Sequence, residues 1–294
     1  MSSSITAREI ASQPSVWARA LQEAATAGAI FGRPGESVLV LGCGTSAFVA
    51  ESIAVLREQA GLGLTDAAYA SEWRPGRRYD RVLAISRSGT TSEVLAALEL
   101  VEQGTRTAAI VGVSDSPVAQ RVDEFLLLDY ADEHSVVQTR FPTTVLVIAR
   151  ETFGDDTSDL VDAAARALAA PLPVPVDGID HVVCLGTGWT HGLAQEAALK
   201  VREAAQAWSE SYPVLDFRHG PIAVAHPGSL VTVFGAADPT LVADIEATGA
   251  AVLTSDEDPL IQLLQAQRFA VALAESRGLN PDTPRHLTRS VVLS

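Results

Sequence analysis

Leu41-Gly42-Cys43-Gly44-Thr45-Ser46-Ala47 and Leu185-Gly186-Thr187-Gly188-Trp189-Thr190-His191 are variants of one phrase. Each closes a short aliphatic run and opens an alanine-rich amphipathic stretch. That is the pattern of a strand turning through glycine into a helix. At the same separation, Glu72-Trp73-Arg74 meets Asp216-Phe217-Arg218. Ala108-Ala109-Ile110-Val111 and Ala250-Ala251-Val252-Leu253 fill corresponding later places. Separate matches on one offset indicate two copies of a single unit.

The surrounding periodicity predicts strands at Ser37–Leu41, Ala67–Ala70, Arg81–Ile85, Ala108–Val113 and Glu124–Leu128 in the first half. Helices are expected at Ser46–Gln59, Ser92–Gln103 and Thr143–Ala169, after a leading helix over Met1–Gly28. Ala170-Pro-Leu-Pro-Val-Pro-Val-Asp-Gly178 reads as a linker. The pattern restarts with strands at His181–Leu185, Leu230–Phe234 and Ala250–Thr254, and helices at Thr190–Ala207, Leu241–Thr248 and Pro259–Arg277. Strand–helix alternation predicts an α/β class of two three-layer α/β/α units, each with a mainly parallel sheet, related as an internal repeat. The expected boundaries are 1–30 for the leading helix, 31–169 for the first domain, and 179–294 for the second domain with a C-terminal tail.

Composition narrows the function. The 294 residues suffice for one large or two small domains, and 47% hydrophobic content marks a globular chain. The net charge of −15 opposes nucleic acid and anionic membranes as partners. No apolar run approaches the roughly 20 residues of a membrane span, and Met1–Ile10 lacks the layout of a signal peptide. Cys43 and Cys184 read as reduced residues of a cytoplasmic protein, and no cluster has metal-ligand spacing. No metal or cofactor is expected. A phosphorylated ligand would have to be held by local donors against the overall field.

Two features carry chemistry. Ser86-Arg87-Ser88-Gly89-Thr90-Thr91 follows the strand at Arg81–Ile85, and Gly42-Cys-Gly44-Thr45-Ser46 follows the first strand; a helix opens after each. Unpaired N–H groups at a helix start favour an anion. One such loop is ordinarily N-capping, but two loops with this many hydroxyls exceed what capping requires. Neither is a Walker A or GxGxxG sequence. The second feature is Lys200, the single lysine among 21 cationic side chains. Lysine is a compact ammonium, unlike the planar and permanently charged guanidinium. Glu196, Lys200 and Glu203 share one helix face on a stretch otherwise largely apolar. The stripe reads equally as an active site or as an ion-pair ladder.

In order along the chain, Gly42-Cys-Gly-Thr-Ser46, Ser71-Glu-Trp73, Ser86–Thr91, Glu133, Glu196-x-x-x-Lys200-x-x-Glu203, His219-Gly-Pro221 and Arg285-His-Leu-Thr-Arg-Ser290 resemble the tandem SIS (sugar isomerase) family. The resemblance covers essentially the whole chain and is strongest to the isomerase half of glucosamine-6-phosphate synthase. It implies that Ser46, Ser86, Ser88 and Thr91, with Gly44 and Thr45 of the first turn, hold a sugar 6-phosphate. Arg87 stands where glutamine is usual, and there it either adds a charge at the substrate site or faces solvent. Glu203 would move a proton between C1 and C2, His219 would assist ring opening, and Glu196 and Lys200 would support the charge network. Glu133 and the segment Ser135–Thr139, including Val136, would flank the sugar.

Arg289 occupies the place of a lysine that bonds the sugar in the synthase; it cannot form an imine, although charge support remains. No glutaminase half and no cysteine at residue 2 precede the sugar half, so the synthase reaction is not expected. The resemblance further implies a homodimer with a shared active site. The expected activity is aldose–ketose isomerisation of a hexose or hexosamine 6-phosphate, with or without loss of a C2 amine. The alternatives are a deglycase of 6-phosphorylated sugar–amino acid adducts and a phosphosugar-binding regulator without turnover.

Overall fold

The computed structural model describes residues 4–293; the first three residues of the expected leading helix lie outside them. Two compact units divide the chain. One comprises residues 12–159 with the tail 288–293, and the other residues 4–11 with 160–287.

The 12–159 unit is built on a parallel sheet of β1 (Val38–Gly42), β2 (Thr65–Tyr69), β3 (Arg81–Ser86), β4 (Arg106–Val111) and β5 (Glu124–Leu127), ordered β2-β1-β3-β4-β5. Every residue of β1 and β3 is buried, as expected where helices cover both faces. Leu39, Leu41, Val82 and Ala84 pack on one face with Val94, Ala97 and Leu98 of α4 (Ser92–Glu99). The unit also holds α2 (Gln13–Ala27), α3 (Thr45–Gln59) and α5 (Arg140–Phe153). Trp17 Nε1 donates to Thr143 Oγ1 at 3.1 Å, tying α2 to α5.

The 160–287 unit carries β6 (His181–Gly186), β7 (Trp208–Pro213), β8 (Ser229–Phe234) and β9 (Ala251–Leu253), parallel and ordered β7-β6-β8-β9. Its long helices are α7 (Thr190–Ala205) and α9 (Pro259–Ser276), which pack on each other. α1 (Ile5–Ala11) and α6 (Leu160–Ala169) also pack on α9. Val183, Leu185, Val231 and Val233 form a further core with Phe217, and with Leu241 and Ile245 of α8 (Pro239–Glu246).

Several expectations need correction. The leading helix is two helices, α1 and α2, parted at Ser12. Asp282 explains the docking of α1: its carboxylate accepts from the amides of Ile5 and Thr6, each at 2.8 Å, and from Thr6 Oγ1. The helix expected over Thr143–Ala169 is also two, because Gly154 adopts φ +90° and closes α5 with a left-handed cap. β7 was not expected. Its Trp-Ser-Glu-Ser-Tyr-Pro sequence lacks the aliphatic run of a central strand, and it lies at the sheet edge, where polar residues are tolerated. The proline-rich linker is not the dividing line. α6 precedes it yet packs on α9, and the tail 288–293 groups with the 12–159 unit.

Candidate active site

The hydroxyl-rich loops sit where β1 and β3 end and α3 and α4 begin. Gly42 is required there: a Cβ would lie 2.4 Å from the Ser46 carbonyl carbon. Gly44 follows at φ +53°, a conformation glycine adopts without strain. In the second loop Gly89 stands at φ +64°, with Ser116 Oγ 2.1 Å from a notional Cβ. These turns bring Ser86, Ser88, Thr90 and Thr91 together. Ser86 Oγ lies 3.4 Å from Thr91 Oγ1 and accepts from the Gly89 amide at 3.2 Å. Ser88 Oγ accepts from the amide and the hydroxyl of Thr90. Thr45 and Ser46 are buried at the start of α3. Thr91, the residue before α4, makes no side-chain capping bond. Capping by Thr91 therefore does not account for its hydroxyl, and the arrangement suits an anion bound at a helix start.

Arg87 does not point out of this loop. It is 2% exposed; Nη1 donates to the Ser135 carbonyl at 2.8 Å and Nη2 to the Arg289 carbonyl at 2.7 Å. Arg289 is held in turn, with Nη2 at 2.6 Å from both carboxylate oxygens of Asp132 and Nε donating to the Glu133 carbonyl. Glu133 is buried and caps α5: its carboxylate accepts from the amides of Thr139, Arg140 and Phe141 and from Thr139 Oγ1. Val136 is half-buried in the intervening segment. Sequence reasoning missed Asp132 and Ser92 as partners of the tail. The motif around Arg289 was visible, but its acceptors lie more than 150 positions away in sequence.

The α7 stripe forms as its spacing predicts. Lys200 Nζ lies 3.3 Å from Glu196 Oε1 and 2.6 Å from Glu203 Oε2. Burial works against charge on Lys200, but the flanking carboxylates outweigh it and hold the lysine above its ordinary pKa. The two acids differ in access: the Glu196 side chain is 2% exposed and that of Glu203 18%. Only Glu203 offers surface to a ligand. His219 is exposed on a 3-10 turn over Leu215–His219 and shares no hydrogen bond or ion pair with the stripe among the described residues.

Burial pushes the Cys184 thiol up to about 12 and raises that of Cys43; both are free thiols. No group of three or more His, Cys, Asp or Glu side chains is placed to hold a metal among the described residues. No helix among them is long and apolar enough to cross a membrane.

Residues 33–150, which include both hydroxyl-rich loops, match the SIS domain family. The chain carries a SIS domain. Its α/β/α layering with parallel sheets agrees with that fold. Across 295 residues this SIS-domain chain is 25% identical to the isomerizing glutamine–fructose-6-phosphate aminotransferase of Sulfolobus acidocaldarius, covering 87% of this chain and 50% of that protein. The Aeropyrum pernix aminotransferase is 30% identical over 267 residues, covering 72% and 43%. The chain thus spans about half the length of the curated relatives it matches. The solved structure of glucosamine-6-phosphate deaminase from Thermotoga maritima superposes with a TM-score of 0.85 at 27% identity, over 99% of this chain and 100% of that one. Tagatose-6-phosphate ketose/aldose isomerase from Escherichia coli shares the fold, with a TM-score of 0.77 at 22% identity over 99% and 96% of the two chains.

Proposed function

We propose that this chain is a phosphosugar isomerase acting on a hexose or hexosamine 6-phosphate, by carboxylate-mediated proton transfer between C1 and C2. The observation that carries this reading is the hydroxyl loop: Ser86, Ser88, Thr90 and Thr91 converge at a helix start that Thr91 leaves without a side-chain cap. Such a loop holds a phosphate without a favourable overall charge, which the net charge of −15 denies. In this reading Glu203 is the base, supported by its access and by the Lys200 ammonium at 2.6 Å. Glu196 balances Lys200 from the buried side, and His219 assists ring opening. Likeness to a glucosamine-6-phosphate deaminase and to aminotransferases that isomerise fructose 6-phosphate supports the substrate class.

Glu203 removes the C2 proton of the open-chain aldose; the electron pair forms the C1–C2 double bond while the carbonyl electrons pass to O1, which takes a proton from solvent to give an enediol. Return of the proton to C1, with loss of the O2 proton to solvent and formation of the C2 carbonyl, gives the ketose. Where C2 carries an amine, the intermediate is an enolamine. Its protonation at C1 leaves an imine at C2, which water hydrolyses to ketose and ammonia. The shared strand order β2-β1-β3-β4 and β7-β6-β8-β9 supports the further reading of the two sheets as copies of one unit.

The test is proton NMR in D2O on a panel of hexose and hexosamine 6-phosphates. Deuterium should enter at C1 or C2 for at least one member, and ammonia release distinguishes deamination from isomerisation. Glu203→Gln should slow exchange by about 100-fold or more. Full exchange in that variant rules out Glu203 as the base. Binding without exchange in the parent protein identifies a sensor instead.

A further inference from the structure

The buried guanidinium of Arg87 is engaged with main chain. It donates to carbonyls of segments 48 and 202 positions away, those of Ser135 and Arg289. The tail residues near the second acceptor are bound to the same loop by their own contacts. Thr90 Oγ1, which donates to Ser88, accepts from Ser290 Oγ at 3.0 Å, the Ser92 amide donates to the Val291 carbonyl at 3.3 Å, and the Leu293 amide donates to Ser92 Oγ at 2.9 Å. Arg289 is fixed at both ends, its carbonyl by Arg87 and its guanidinium by Asp132 and the Glu133 carbonyl. Loop 86–92, segment 132–135 and tail 288–293 are therefore one network joined through Arg87.

We propose that Arg87 is a positioning residue that fastens the C-terminal tail to the hydroxyl loop, rather than a ligand of the phosphate. Glutamine cannot reproduce this: one amide group has two donors on a single nitrogen, whereas the guanidinium fork reaches two diverging carbonyls. Because Thr90 bonds both Ser88 and Ser290, an anion drawing on the Ser88 hydroxyl acts on the tail directly. Anion occupancy and tail ordering are then coupled, and this second part rests on the phosphate reading above.

The experiment is amide hydrogen exchange by mass spectrometry on the full chain and its Arg87→Gln variant, with and without inorganic phosphate. In the variant, exchange over 288–293 and at the Ser92 amide should accelerate at least tenfold. Peptides of β1 and β6 should be unchanged, and phosphate affinity should shift by less than about threefold. In the parent, phosphate should change tail exchange at least threefold; in the variant that response should vanish. Unchanged tail exchange in Arg87→Gln overturns the proposal. So does loss of phosphate binding with the tail still protected, which makes Arg87 a ligand. Should the parent bind no phosphate, the phosphate reading fails, while the tail comparison still decides the role of Arg87. If the variant does not fold, a chain ending at Leu287 serves: Arg87 should become reactive to phenylglyoxal, and continued protection of Arg87 there refutes the fastening.

Discussion

Replacing Lys200 by methionine tests the central electrostatic claim. The substitution keeps a linear side chain of similar length and removes only the ammonium. Glu196, with its side chain 2% exposed, loses a counter-ion at 3.3 Å, and Glu203 loses one at 2.6 Å. Breaking a buried ion pair from one side costs about 3–5 kcal/mol, because an uncompensated charge stays in the interior. At about 2–4 °C per kcal/mol for a protein of this size, the unfolding midpoint should fall by roughly 10 °C. The sign with pH follows from the raised pKa of Lys200. Its contribution is complete below the unfolded value near 10.4 and fades only as pH rises through the higher folded value, so the loss should be constant from pH 6 to 9. Calorimetry on the single variants and on Glu196→Gln/Lys200→Met completes a thermodynamic cycle. The double variant should recover about 2 kcal/mol or more relative to additivity, since removing both charges leaves nothing unpaired. A single-variant cost below about 1 kcal/mol, or strict additivity, would refute the description of the stripe as a buried charge network.

Two further expectations follow from local geometry. Gly89→Ala forces a methyl group onto Ser116 Oγ at 2.1 Å in a backbone at φ +64°; phosphate affinity should fall at least tenfold in isothermal titration, with unfolding lowered by about 1–3 kcal/mol. Asp282→Asn should release α1. Burial of Asp282 opposes its ionisation, but bonds from the Thr6 and Ile5 amides outweigh it and hold the carboxyl below the ordinary aspartate value. That contribution is present above about pH 4 and is lost as pH falls through the folded pKa, so parent and variant should differ in exchange at the Ile5 and Thr6 amides at pH 6 and converge near pH 2.

The elements legible in the sequence were those whose cause is local. Strands buried on both faces, such as Val38–Gly42 and Arg81–Ser86, announce themselves by uninterrupted aliphatic runs. The 196/200/203 stripe follows from helical spacing alone. β7 escaped because an edge strand needs no aliphatic run, and the break at Gly154 escaped because the apolar period continues through Leu160–Ala169. Access separates Glu203 from Glu196, and no spacing carries access. In sequence, Arg87 is a loop cation with two outcomes, a charge at the substrate site or a side chain facing solvent. That it spans to Ser135 and Arg289 depends on pairings far apart in sequence, which one chain's order does not display.

The interleaving of the chain limits how it can be divided. A cut at the proline-rich stretch near Pro171–Pro175 looks natural by composition. It would give an upstream fragment bearing α1 and α6 without the α9 they rest on, and a downstream fragment bearing 288–293 without the loop that receives it. Each piece would expose surface meant for the other, so co-expressed halves should reassociate and isolated halves should aggregate.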